Sequence, residues 1–102
     1  MDPERLSDVN ISAVVIATAG RDQGKLFYVI GTDPVYLMLA NGKDRSLDKP
    51  KRKKRKHIQK VLRSETRVAE KLRNGDRVLN SELRRDLAYL SREMQSNAPG
   101  GN

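Results

Sequence analysis

Three segments in the first half of the chain are apolar on both sides of the backbone, and this limits the possible folds more than any other feature. They cover residues 11–19, 25–30 and 35–40, and their β-branched and aliphatic content makes each a strand. Side chains alternate across a strand, so Val15 and Ala17 oppose Val14 and Ile16. Likewise Leu26, Tyr28 and Ile30 oppose Phe27 and Val29, and Val35, Leu37 and Leu39 oppose Tyr36, Met38 and Ala40. A sheet apolar on both faces must be covered on both. One face can close on itself as a small barrel while something else covers the outside. Turn residues separate the strands: Gly20 and Gly24 bracket the first connection, Gly31-Thr32-Asp33-Pro34 forms the second, and Asn41-Gly42 follows the third.

The second half supplies the cover. Ser64 is placed to cap a helix over 65–73, with Val68, Ala69 and Leu72 on one side and Gly75 as the stop. Asn80 or Ser81 starts another helix, in which Leu83, Leu87, Leu90 and Met94 recur at steps of four, three and four. This stripe is expected to dock on the outer face of the sheet; its rival use is a dimer interface. Asp2 before Pro3 is placed to cap a single helical turn, and residues 95–102 read as a frayed polar tail. The expected protein is mainly β with C-terminal helices. Residues 1–60 form the barrel with a basic strand, 61–94 a helical extension packed on it, and 95–102 a disordered tail.

The charge is as unevenly distributed as the apolar residues. Residues 43–60 hold ten Lys/Arg and two Asp, and so carry the whole formal net charge of +8. The remaining residues balance, with eleven cations against eleven carboxylates. At the centre, Lys51, Arg52, Lys53, Lys54, Arg55 and Lys56 form an unbroken run of six cations. As a strand, it places Lys51, Lys53 and Arg55 on one side and Arg52, Lys54 and Lys56 on the other. Neither side suits a core, so the run is expected to be an edge strand or a loop. Edge lysines block aggregation between sheets, but one or two suffice for that. Six neighbouring cations repel one another, and a polyanion relieves that repulsion. The fitting partner is a nucleic acid, bound through its phosphates. Neutralising about five or six phosphates makes log K fall against log salt with a slope near −0.7 to −0.9 per contact. Such contacts fix position without reading sequence. Two other uses of the run are nuclear import and solubility alone.

Composition narrows the classes further. With 102 residues the chain makes one domain. Its only aromatics are Phe27, Tyr28, Tyr36 and Tyr89, a poor supply for a platform that stacks unpaired bases. It has no cysteine, which excludes disulfides and thiolate metal sites and fits a reducing compartment. The charged N-terminus does not read as a secretory signal, and no apolar stretch approaches the roughly 20 residues of a membrane span. A soluble, cytoplasmic protein with no membrane partner is expected.

The first connection adds a second feature. Thr18-Ala19-Gly20-Arg21-Asp22-Gln23-Gly24-Lys25 is a polar loop between an apolar strand and its return. Its glycines permit positive φ, and its tip presents Arg21, Gln23 and Lys25. Spacing alone fits an ordinary hairpin turn. The residues of 13–30, however, resemble the KOW motif of translation and transcription proteins. The likeness to the e-type large-subunit ribosomal protein fourteen family continues through VYLMLANG at 35–42 to RKHIQ at 55–59, about half the chain in all. The resemblance implies a small SH3-like β-barrel that binds ribosomal RNA. It implies an RNA-facing loop of Gly20, Arg21, Gln23, Gly24 and Lys25, with the basic strand as a second contact surface. His57 and Ile58 match the end of the barrel in that family. The six-cation run is denser than the family pattern, and the chain after Val61 does not match it.

No catalytic constellation is visible. His57 is the only histidine and there is no cysteine, so a transition-metal site lacks ligands; packing at a strand end, or contact with phosphate, suits it better. No serine has a His/Asp partner pattern and no glycine loop reads as a P-loop. Glu65, Glu70, Asp76, Glu82, Asp86 and Glu93 interleave with arginines as surface ion pairs. The reading is therefore a non-enzymatic RNA-binding protein without cofactor or small-molecule substrate. Its partners are RNA, foremost ribosomal RNA, and ribosomal proteins. The contacts are the glycine loop and Lys43, Arg45, Lys49, residues 51–56, His57 and Lys60. The alternative is an adaptor that holds another protein on the leucine stripe, with the basic run as its anchor or import signal.

Overall fold

Both faces of the sheet are buried, as two-sided apolar strands require. The computed structural model describes residues 9–96, and within them the chain is a mixed α/β fold: a five-stranded antiparallel sheet plus two helices. The strands are β1 (Ala13–Ala17), β2 (Leu26–Thr32), β3 (Tyr36–Ala40), β4 (Lys51–Lys54) and β5 (Ile58–Arg63), in the order β4-β3-β2-β1-β5. The first four form a meander. A 3-10 turn at Arg55–His57 then carries the chain across, and β5 pairs antiparallel on the far side of β1, in the same sense as β4. The expected helical turn at Asp2-Pro3 lies outside the described residues.

One face collects Val9, Ala13, Val15, Ala17, Phe27, Val29, Leu37 and Leu39, with Ile58 against them. Among the described residues no helical side chain joins this cluster. The opposite face places Val14, Tyr28 and Ala40 against Ala69, Leu83, Leu87 and Leu90. Thus three of the four stripe residues lie on the sheet, while Met94 is half-buried outside the cluster. Each large side chain taken fully from water contributes roughly 1.5–3 kcal/mol, so these clusters are the main source of stability.

The strand pairing is open, because β4 and β5 are its two ends and share no ladder; the four residues of β4 run directly into the 3-10 turn. Three sequence expectations need correction. β5 extends to Arg63, so the expected boundary at residue 60 falls inside a strand. Helix α1 (Arg67–Asn74) is capped by Thr66, whose Oγ1 accepts from the Ala69 amide at 3.2 Å. Ser64, the expected cap, instead has its hydroxyl 2.7 Å from the Tyr28 hydroxyl. Helix α2 (Asn80–Ser96) includes Gln95, where a tail was expected. As expected, Gly75 ends α1 in the left-handed conformation, at φ 76°.

A polar network ties sheet and helices together. Buried Tyr28 donates its O–H to Asp86 Oδ2, which also accepts from Thr66 Oγ1 at 2.8 Å. Burial, reinforced by the hydrogen bond to Asp86, pushes the Tyr28 phenol up to about 12.

Candidate nucleic-acid interface

The pleat divides the basic strand. Lys51 and Lys53 pair with Leu39 and Leu37, on the side of the helix-free core, whereas Arg52 and Lys54 pair with Met38 and Tyr36 on the other side. The expectation that neither side enters a core fails at Lys53, which is only 9% exposed. Its aliphatic stem lies on the side of Leu37, while its ammonium reaches the glycine loop and donates to the Ala19 carbonyl at 2.6 Å. A Cβ on Gly20, at φ +82°, would stand 2.9 Å from that ammonium, so glycine leaves room for it.

Other cations of the run also have structural partners. The Arg52 guanidinium lies 3.7 Å from the centre of the Tyr36 ring, a cation–π contact. Arg55 donates to the carbonyls of Asp33 and Val9 at 3.0 and 3.1 Å. Lys51 and His57 are half-buried. The exposed members are Arg52, Lys54 and Lys56, joined beyond the run by Lys43 and Lys49, while Lys60 is exposed on β5 at the opposite edge of the sheet. Among the described residues no carboxylate lies within ion-pair distance of these five lysines.

The glycine loop is braced from within. Asp22, 3% exposed, accepts from Arg45 Nη2 at 3.0 Å and lies 3.7 Å from the Lys25 ammonium. Lys25 also donates to Asp44 at 2.8 Å, and that hydrogen bond raises the lysine above its ordinary range while lowering Asp44. Arg45 and Lys25 therefore already hold carboxylates. Gly20, Arg21, Gln23 and Gly24 remain at the exposed surface of the loop. Gly24, at φ +87°, has open space where a side chain would be.

Two contacts join the loop to β4 and the turn that follows it: Lys53 Nζ to Ala19 O, and the Thr18 amide to His57 O at 2.9 Å. The fold thus makes one neighbourhood from two features far apart in the sequence. Tyr36 and Asp22 had not been singled out. Strand register alone places Tyr36 opposite Lys54 and diagonal to Arg52. Nothing local indicates that Asp22 turns inward.

Unneutralised lysines on an exposed edge can hold phosphate oxygens. The Tyr28–Ser64–Thr66–Asp86 network is internal, with Tyr28 and Ser64 almost fully buried. No helix among the described residues is long and apolar enough to cross a membrane. In comparisons with known proteins, no family model matches the sequence and no curated protein is significantly similar to it.

Proposed function

We propose that the chain is a non-catalytic RNA-binding protein of KOW type that associates with ribosomal RNA, and through it with ribosomal proteins, in the cytoplasm. The observation that carries this reading is the row of uncompensated lysines, Lys54 and Lys56 at its centre, on a segment fastened to the glycine loop. The cations with internal partners shape the surface, and the exposed ones grip. Arg21 and Gln23 at the loop tip extend the grip beyond the strand. An SH3-like barrel belongs to the same proposal. In its support, Phe27, Val15, Leu37 and Leu39 are fully buried on a face that no described helix covers, and a curled sheet accounts for that. The adaptor reading loses its surface, because Leu83, Leu87 and Leu90 are packed on the sheet.

The test is a triple variant, Arg52→Gln/Lys54→Gln/Lys56→Gln, which spares the buried Lys53 and the braced Arg55. RNA binding is measured across a salt series. The variant should lower the magnitude of the salt slope by about two to three, at roughly 0.7–0.9 per lost phosphate contact. Unchanged affinity and unchanged slope would remove the reading.

A further inference from the structure

We propose that the opposite edge of the sheet carries a separate phosphate-binding pocket formed by Lys60, Arg63 and Arg73. In a regular strand, residues three apart point to opposite faces. Here the register of β5 against β1 shifts between Val14 and Val15, so Lys60 stands opposite Val15 and Arg63 opposite Ala13. Val15 and Ala13 belong to the same core face, and the bulge therefore turns both cations to one side. Arg73, from the last turn of α1, completes the wall of a cavity of about 240 Å³, with Asn10, Ile11 and Ala13 as its floor. The volume is below the roughly 300 Å³ at which pockets for whole small molecules begin. It suits a single phosphate group.

Arg73 is held in place before any ligand arrives. Its Nη1 donates to Ser12 Oγ and to Ser64 O, each at 2.8 Å. Ser12 is buried at φ 76°, a left-handed conformation that non-glycine residues seldom adopt. Backbone held this way clusters at functional sites. The only carboxylate near the three cations among the described residues is Glu65, 3.7 Å from Arg63 Nε and 3.5 Å from Arg73 Nη2. Those separations exceed the 2.7–2.9 Å of a charge-assisted hydrogen bond, and Glu65 is 67% exposed. Glu65 is a loose occupant that a phosphate displaces, because three cations face one carboxylate.

The ligand chemistry is a phosphate group, whether in a nucleic-acid backbone or as the free ion; only the backbone source rests on the RNA-binding reading. The test titrates isotope-labelled full-length protein with inorganic phosphate, using chloride at matched ionic strength as the control, and follows the amides of Ala13, Lys60, Arg63 and Arg73. Saturable shifts are expected with phosphate alone. Lys60→Gln/Arg63→Gln, at exposed positions, should weaken them at least about tenfold, as expected for two lost charge-assisted hydrogen bonds. Glu65→Gln should tighten binding roughly two- to fivefold, the effect of removing one exposed ion pair. Absence of saturable shifts, an unaltered titration in the double variant, or weaker binding by Glu65→Gln overturns the pocket, whatever becomes of RNA binding. Given a positive titration, a salt slope for RNA lower by about one in the double variant assigns a backbone phosphate. An unchanged slope assigns the free ion, and loss of RNA binding by the β4 variant alone leaves the pocket standing.

Discussion

Lys53 and Lys54 are neighbours in one cationic run, but the pleat gives them different surroundings. Lys53 is a buried donor to a loop carbonyl, and Lys54 is exposed with no carboxylate beside it among the described residues. Lys53→Gln should therefore cost about 1–3 kcal/mol, the penalty for an unsatisfied buried group. Lys54→Gln should stay within about 0.5 kcal/mol. Urea midpoints at unchanged m-value would separate them. The alternation of the run was readable from the sequence. The carbonyl that receives Lys53 was not, because it belongs to a loop 34 residues away. Tyr28 gives a second residue-level prediction. Its proton is held to about pH 12 in the folded chain against an ordinary 10, so the folded state binds the proton more tightly than the unfolded one. This contribution is complete below pH 10 and disappears as pH rises to about 12. The loss amounts to roughly 2–3 kcal/mol. In Tyr28→Phe that part of the alkaline decline should vanish, as denaturation at a series of pH values would record. Persistence of the full decline would assign it to other groups.

At the level of elements, periodicity located β1, β2 and β3 and both helices to within a few residues, because their apolar side chains follow the periods of strand and helix directly. It failed at β5, where Gln59, Lys60 and Arg63 are polar and Val61 is exposed, so no alternating pattern marks the strand. It failed at the α1 cap as well. Both Ser64 and Thr66 are good caps by composition, and only the position of Tyr28 decides between them. The pocket of Lys60, Arg63 and Arg73 was illegible for the same reason, since a bulge reverses the side on which a residue falls. For α2, the prediction concerns Leu87, which is 6% exposed against the sheet. Leu87→Asp should unfold sheet and helices together in circular dichroism, since it places an unpaired charge in the core. A folded variant that merely loses a binding partner would restore the adaptor reading.

For the whole molecule, two cores share one sheet, and Val14, Tyr28 and Ala40 are covered chiefly by the helices, with Leu47 and Val78 from the loops beside them. Sheet and helices therefore belong to one cooperative unit, although the sequence suggests a division near residue 60. Denaturation followed by helical ellipticity and by tyrosine fluorescence should give coincident transitions. Two separate transitions would mean that the sheet stands without its cover. The charge pattern, +8 on a body that otherwise balances, was fully legible in the sequence. Which of those cations are exposed was not. Both end strands of the sheet carry positive side chains, β4 along its length and β5 at Lys60 and Arg63, and β5 is also irregular where it meets β1. Open strand borders ordinarily recruit further copies and grow into fibres. In this chain each border repels its own kind, so the protein can reach high concentration without stacking edge to edge.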